Sequence, residues 1–537
     1  MTKRNFGLKT FGIMLFIITL GTILRLIFIN KPDGLWNDEY VSWFIASIPL
    51  SKGFFNAVAS QCHMPFYYLY LKFFIHFWGN SDLMLRLTSV LPGVLSIISM
   101  YFVGKEFKDK KLGVLCATIT ALSSFLIYFS QEVRFYGILF LFSSLSLLFT
   151  LKLGKKQNFS NFFWYTISNF LIIFTHTIGF VFVFFNLIFL SFWLNKDKIL
   201  KKSIIILWSS IFLFGLLFAP LLFKIFTTHP YSQWWGQFTI AKIGFLITDY
   251  FSPILTNIVS SPDNFFYNLT PNFIIFALLP SIIAIAGLIK ALTTKEYRIL
   301  GLFYVSLAFI LTLILAAISG KLVFATKYSI EIYPILILIA GFGLLNFKKA
   351  LKYFLILSFC FLNLFYILTN PNSAPRLRRS EGHKIVADLI KNADLKAGDY
   401  ILLNYYPKER FEKYFDFGKY NVISVNKANF PEYLGVKSKE EFKSIDENHL
   451  DRKFKQEVLD KLQPNQELAI VILKDVAMYS PMQLKALLKD EKEYKKTPFL
   501  FLAFSYLKNE MFENSLKNLQ ILRIEQKGSW TVVTFKR

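Results

Sequence analysis

Apolar residues fill this chain in long runs rather than alternating with polar ones. Residues 11–29 (FGIMLFIITLGTILRLIFI) carry a single charge, Arg25. A run of that length crosses a hydrocarbon core of about 30 Å as a helix. Similar runs recur until about residue 369 and then stop. The pattern predicts about 11 membrane spans, near 10–30, 83–104, 112–128, 137–151, 162–175, 178–194, 203–222, 271–289, 299–318, 329–346 and 350–369. Two long segments, 31–82 and 223–270, interrupt the series. They are too aromatic for disorder, and amphipathic helices lying at the membrane interface fit them.

The pattern changes beyond residue 371. NPNSAPRLRRSEG is polar and contains proline, which marks a boundary. After it, Ile385, Val386, Leu389 and Ile390 recur at helical spacing, and YILLNYY, YNVISV and ELAIVILK read as buried strands. ILRIEQ and WTVVTFKR read as a hairpin turning at Gly528. The expected architecture is a polytopic α-helical membrane domain over 1–370 and a soluble α/β domain over 371–537.

Composition agrees with a membrane protein. The chain is 54% hydrophobic and only 18% charged, against about 25% in soluble proteins. Its net charge of +25 suggests nucleic acid until the charges are placed. The basic residues cluster in every second link: KEFKDKK (105–111), KLGKK (152–156), NKDKILKK (195–202), KALTTKEYR (290–298) and NFKKALK (346–352). This is the positive-inside pattern and needs no nucleic-acid partner. It places the amino terminus on the cytoplasmic side of the membrane and, with eleven spans, the carboxy-terminal domain outside. The first run lacks a small-residue cleavage site and reads as a retained span, not a signal peptide. Cys62, Cys116 and Cys360 are too scattered for a disulfide framework or a metal set.

Polar residues then gather at the outer ends of the spans. Asp38 and Glu39 follow the first span in GLWNDEYVSW. Interfacial carboxylates are costly to keep and suit general-base work, although Asn37 or Asp38 serves equally as a helix cap. His63 precedes Pro65 in HMPFYY, a sequence that opens a helix whether or not the histidine meets a substrate. Glu132 and Arg134 lie in SQEVRFY, where they either pair with each other or leave the Arg134 fork free for phosphate. Lys327 and Tyr328 stand at the start of a span, where a lysine either snorkels or neutralises an anion. His176 ends a span in FTHTIGF and is as readily structural. No Ser-His-Asp set, glycine-rich phosphate loop or spaced Cys/His set is present.

Taken in order, these motifs resemble those of the GT-C membrane glycosyltransferases, the broad group of protein O-mannosyltransferases and aminoarabinose and galacturonic acid transferases. Asp38-Glu39 matches the acidic pair after the first span, and HMPFYY matches a His-Pro-Pro-Leu-Tyr-Tyr-like motif. Leu85–Ser89 with Pro92-Gly93 matches an "RL-S-L-G" segment, and residues 130–136 match Ser-Gln-Glu-x-Arg-x-Tyr in full. Thr175-His176 and Lys327-Tyr328 complete the set. Met64 stands where proline is usual, Lys327 where arginine is usual, and the tail from 372 matches no acceptor-binding module.

The resemblance implies a polyprenyl-phosphate-linked sugar donor, a glycan, lipid or protein acceptor, and inverting transfer on the extracytoplasmic face. It implies Asp38 and Glu39 as catalytic residues, and Arg134, Lys327 and Tyr328 at the donor phosphate. His63, Tyr67, Glu132, Tyr136 and His176 would orient the substrates. A divalent metal is compatible with the acidic pair, but no ligand spacing demands one. The competing readings are a lipid-linked sugar flippase, which would show internal symmetry not found here, and a glycan ligase or polymerase.

Overall fold

The structure, a computed structural model, describes residues 3–30, 34–51, 53–61, 63–196, 201–228, 241–254, 274–319, 324–370, 382–405, 408–426, 459–473, 520–527 and 530–536. The chain divides into two compact units. One combines Met1–Ile29 with Val41–Arg378, and the other combines Asn30–Tyr40 with Arg379–Arg537.

The first unit is helical, with a helix at each expected span. Seven described stretches are long and apolar enough to cross a membrane: Lys9–Leu26, Asp82–Phe107, Tyr136–Lys155, Ile275–Thr293, Tyr297–Ile318, Thr326–Leu345 and Lys349–Thr369. Gly179–Leu194 and Ile205–Leu217 are shorter apolar helices. Phe11, Phe212, Phe354 and Phe361 project outward, more than half exposed. Water would penalise such faces, whereas lipid chains solvate them.

Two expected spans are broken. The run 112–128 forms Lys110–Leu122 and Ser124–Phe129, parted at Ser123. Ser123 adopts extended backbone, and its Oγ accepts from Leu126 N at 3.3 Å, so a serine inside an apolar run acts as a cap. The run 203–222 forms Lys201–Leu217 and Ala219–Thr228, with Pro220 in the first turn of the second helix. The expected interfacial segment 31–82 holds three helices, Asn37–Ser47, Phe54–Ser60 and Phe66–Trp78. Most of 223–270, including HPYSQWWGQF, lies outside the described residues, as do Cys62 and Gly528.

The basic links meet at one end of the bundle. Lys155 pairs with Glu106 at 2.9 Å, and Lys108 Nζ donates to Asn346 Oδ1 at 3.3 Å. Arg298 lies 4.5 Å over the Phe107 ring and Lys290 lies 5.9 Å over Phe347. Four of the five links thus converge; the side chains of 195–202 fall outside the described residues. Helix Tyr136–Lys155 has its two lysines, Lys152 and Lys155, at this end. Twenty residues at 1.5 Å each put Tyr136 about 30 Å away, at the other end. Between the two ends a buried polar network joins three helices. Ser146 Oγ donates to Asn169 Oδ1 at 2.9 Å, and Asn186 Nδ2 donates to Ser146 and Thr150 at 3.0 and 3.1 Å. Satisfied polar groups of this kind fix which helix faces meet.

The second unit is an α/β sheet in the order β2-β1-β3-β5-β4. Strand β1 (Tyr400–Tyr405) pairs in parallel with β2 (Asn421–Asn426) and β3 (Glu467–Leu473). Strands β4 (Gln520–Lys527) and β5 (Trp530–Lys536) form the expected antiparallel pair, with Lys527 opposite Trp530. Helix His383–Asn392 buries Ile385, Val386, Leu389 and Ile390, the positions read from its spacing, and packs on β4 and β5.

Candidate functional site

In the first unit the motif residues fall into a supporting half and a chemical half. Arg25, wholly buried, donates from Nη1 and Nη2 to the Ala121 and Thr120 carbonyls at 3.2 and 3.0 Å. Its Nε donates to Ser130 Oγ at 3.2 Å. Gln131 Nε2 donates to the carbonyls of Arg25 and Ile27, at 2.9 and 2.8 Å. Arg86 Nη1 donates to the Ile29 carbonyl at 3.1 Å. Gln131 and Arg86 therefore satisfy orphan carbonyls at the end of the first span, which a helix C-terminus requires when buried, and Ser130 holds the Arg25 side chain. Gly93 is small for the same reason: a Cβ there would meet Ser130 Oγ at 2.2 Å and Arg25 Nε at 3.1 Å.

The chemical half gathers at the other end of the same motif. The backbone tightens at Glu132, whose carbonyl accepts from Arg134 N at 2.7 Å. Helix Tyr136–Lys155 then starts, and this turn sets Arg134 beside the rings of Phe135 and Tyr136, 5.2 and 5.9 Å from their centroids. Lys327 Nζ lies 5.9 Å from the same Tyr136 ring and 5.3 Å from Tyr328. Two cations thus flank one tyrosine. Arg134 Nη1 also donates to Ser42 Oγ at 3.5 Å, a residue that sequence reasoning did not single out.

His63 and His176 join them. Their backbones form an isolated antiparallel bridge, with ring centroids 5.5 Å apart. Phe135 packs on both, at 4.8 and 4.7 Å, and His176 stacks near Tyr328 at 6.2 Å. His63 Nδ1 and Tyr68 Oη are 2.6 Å apart, and Tyr67 packs on Phe135 at 6.2 Å. Met64, the departure from the family motif, is buried with Ala59 against Phe218, Leu221 and Leu222. It fills an apolar cluster, and Pro65 still opens the helix Phe66–Trp78.

Burial, then the nearby charges of Arg134, His176 and Lys327, hold the His63 imidazole well below its ordinary range. Burial and Arg134 push His176 down to about 3. Both rings are neutral at physiological pH and act as hydrogen-bonding groups, not proton donors of cationic form. His176 Nδ1 accepts from Ile178 N at 3.2 Å, so its proton sits on Nε2. Between pH 6.5 and 3 an unfolded chain protonates a histidine that the folded chain keeps neutral. The histidine's contribution is complete above about pH 6.5 and declines as pH falls. The thermal midpoint in detergent is therefore expected to drop between pH 7 and pH 5, and to drop less in His176→Gln. An equal drop in both proteins would mean that His176 is not held neutral.

Lys327 is carried by a 3₁₀ turn, Thr326–Ile332, that is pinned to helix Ala241–Phe251. Thr326 Oγ1 donates to Asp249 Oδ2 at 2.7 Å, and Tyr250 Oη bonds Ser329 O and Oγ at 2.5 and 2.8 Å. Asp249 and Glu331, both fully buried, escaped sequence reasoning. For Glu331 the signal was available, since an acid inside an apolar run defaults to a functional reading.

Asp38 and Glu39 belong to the second unit, on the first turn of helix Asn37–Ser47. Asp38 is half-buried, and Asn37 Nδ2 lies 3.5 Å from its Oδ1. Glu39 is 1% exposed and its Oε2 accepts from Trp36 N at 3.3 Å, so it closes the turn on itself. Among the described residues no three His, Cys, Asp or Glu side chains converge as a metal cage would require.

Residues 62–223 match the family of dolichyl-phosphate-mannose-protein mannosyltransferases. This segment includes the His63 and Arg134 motifs. No curated protein matches the chain in sequence. Among solved structures, ArnT from Cupriavidus metallidurans in the apo state is similar at TM-score 0.52 and 10% identity, covering 97% of this chain and 98% of that one. The apo oligosaccharyltransferase of Archaeoglobus fulgidus is similar at TM-score 0.51 and 11% identity, covering 87% and 70%. The architecture is the one that the sequence motifs imply.

Proposed function

We propose that this chain, a membrane glycosyltransferase of GT-C fold, moves a sugar from a polyprenyl-phosphate carrier to an acceptor hydroxyl on the extracytoplasmic face. The observation that carries the proposal is the pair of cations, Arg134 and Lys327, flanking Tyr136 about 30 Å from the basic end of the bundle. The positive-inside rule makes the basic end cytoplasmic. The cations then stand where a lipid-linked donor is available and a sugar nucleotide is not. The matched family is itself described by a dolichyl-phosphate sugar.

The reaction follows from these roles. Asp38 accepts the proton of the acceptor hydroxyl as its oxygen attacks the anomeric carbon. The bond from that carbon to the phosphate oxygen breaks, and the electron pair leaves with the phosphate. Arg134 and Lys327 neutralise this developing charge, with Tyr328 beside them. Displacement from the opposite side inverts the anomeric centre. Neutral His63, Tyr67, Glu132, Tyr136 and His176 orient the two substrates, and Glu39 holds the turn that bears the base. The acceptor hydroxyl belongs to a glycan, a lipid or a protein.

Purified protein in detergent, given a radiolabelled polyprenyl-phosphate sugar and envelope acceptors, is expected to form a glycosidic bond of inverted configuration by NMR. Lipid movement across vesicles without bond formation would instead indicate a flippase. Orientation has its own test. Lys391 is exposed on helix His383–Asn392. Lys391→Cys, in a chain with its three native cysteines replaced by serine, is expected to react with an impermeant maleimide on cells with a permeabilised outer envelope. Labelling only after lysis would place the α/β domain in the cytoplasm.

A further inference from the structure

The short segment that carries Asp38 and Glu39 is fastened to the α/β domain at both of its ends. At its start, Leu35 O accepts from His383 N at 3.0 Å, and Leu35 N donates to Tyr414 Oη at 2.9 Å. Gly34 stands at φ +91 and presses on Lys384, whose backbone N would lie 2.5 Å from any Cβ added there. Only glycine tolerates both conditions. At its end, Tyr40 Oη donates to the Glu409 carbonyl at 2.5 Å. The Tyr40 ring lies under the Arg410 guanidinium at 4.9 Å and beside His383 at 5.5 Å. Between these anchors the turn is closed by its own bonds, Trp36 N to Glu39 Oε2 and Tyr40 N to Trp36 O.

A turn closed on itself and held at both ends has no freedom of its own. We propose that the α/β domain acts as a clasp that sets the position of the Asp38 carboxylate, with Tyr40, His383, Arg410 and Tyr414 as positioning residues. The inference rests on the assignment of Asp38 as base made above. It gives the domain a part in the chemistry through the Asp38 carboxylate. A base must lie within hydrogen-bond reach of the proton it takes, and small misplacements are costly. The donor phosphate is held elsewhere, by Arg134 and Lys327. Loosening the clasp should therefore cost turnover and leave donor affinity alone.

Full-length Tyr40→Phe/Tyr414→Phe removes two hydroxyls while keeping both rings. Its kcat is expected to fall about 10- to 100-fold with an unchanged KM for the polyprenyl-phosphate sugar. Hydrogen exchange at the Leu35 amide, read by mass spectrometry, is expected to quicken in the same protein. Arg410→Lys, which keeps a cation over Tyr40, should retain more turnover than Arg410→Ala. Faster exchange with normal kcat would overturn the proposal, because the turn would be loose without consequence. Unchanged exchange would overturn it by showing that these bonds do not hold the segment. A raised KM at constant kcat would assign the domain to donor binding instead. Asp38→Asn, assayed in parallel, separates the two layers. If it retains activity, the base assignment fails, whatever the clasp variants do.

Discussion

Asp38→Asn is expected to lower sugar transfer by about 10²–10⁴-fold while the protein still folds and inserts, since asparagine keeps the shape of aspartate but takes no proton. Folding is spared because Asp38 is only half-buried and asparagine keeps its shape, while the lost attraction to the helix N-terminus is worth about 0.3–1 kcal/mol. Glu39→Gln provides the contrast. Its side-chain oxygen can still accept from Trp36 N, so the turn persists and the loss should be several-fold at most. Initial rates of transfer from a polyprenyl-phosphate sugar check both variants. Activity of Asp38→Asn within a few-fold of wild type would remove it from the reaction.

Arg134→Ala is expected to have the second-largest effect. It removes one of the two cations beside Tyr136, and a lost charge-stabilising donor in a dry site costs about 10²–10³-fold in turnover. Arg134→Lys should recover only part of this, because an ammonium lacks the planar fork that meets two phosphate oxygens. Arg134 also reaches Ser42 Oγ at 3.5 Å, and a lysine cannot make that contact and face an anion in the same way. Donor titrations at saturating acceptor check both variants. Equal, normal kinetics would reduce Arg134 to a support for its own turn.

Much of the membrane architecture was readable because a span is defined by length and apolarity, which are local. The β4–β5 pair was readable for a similar reason: its two runs are adjacent in sequence. The break at Ser123 was not, since one small polar residue in an apolar run leaves the average hydropathy unchanged. The fastening of Leu35 to Tyr414 joins residues 379 apart, and no periodicity carries such information. The candidate site shows the same division. Motif order named His63, Arg134, His176 and Lys327, but which of the motif's polar residues support the fold required geometry. Ser130 and Gln131 turned out to hold the end of the first span, and Asp249 to hold the turn that bears Lys327.

The burial of Arg25 has a consequence in time. Its guanidinium is satisfied by Thr120, Ala121 and Ser130, which leave the ribosome 95 to 105 residues after it. At about 5–20 residues per second, those partners arrive roughly 5–20 s late. During that interval the first span sits at the membrane with a charge that costs about 2.5–3.5 kcal/mol at a helix centre, less near an end. A nascent chain stopped before residue 120 should therefore hold this helix loosely and let Arg25 seek water. One stopped late enough for residue 135 to have left the ribosome should lock it. Assembly of this bundle is then a waiting process, in which a helix can enter well before it settles.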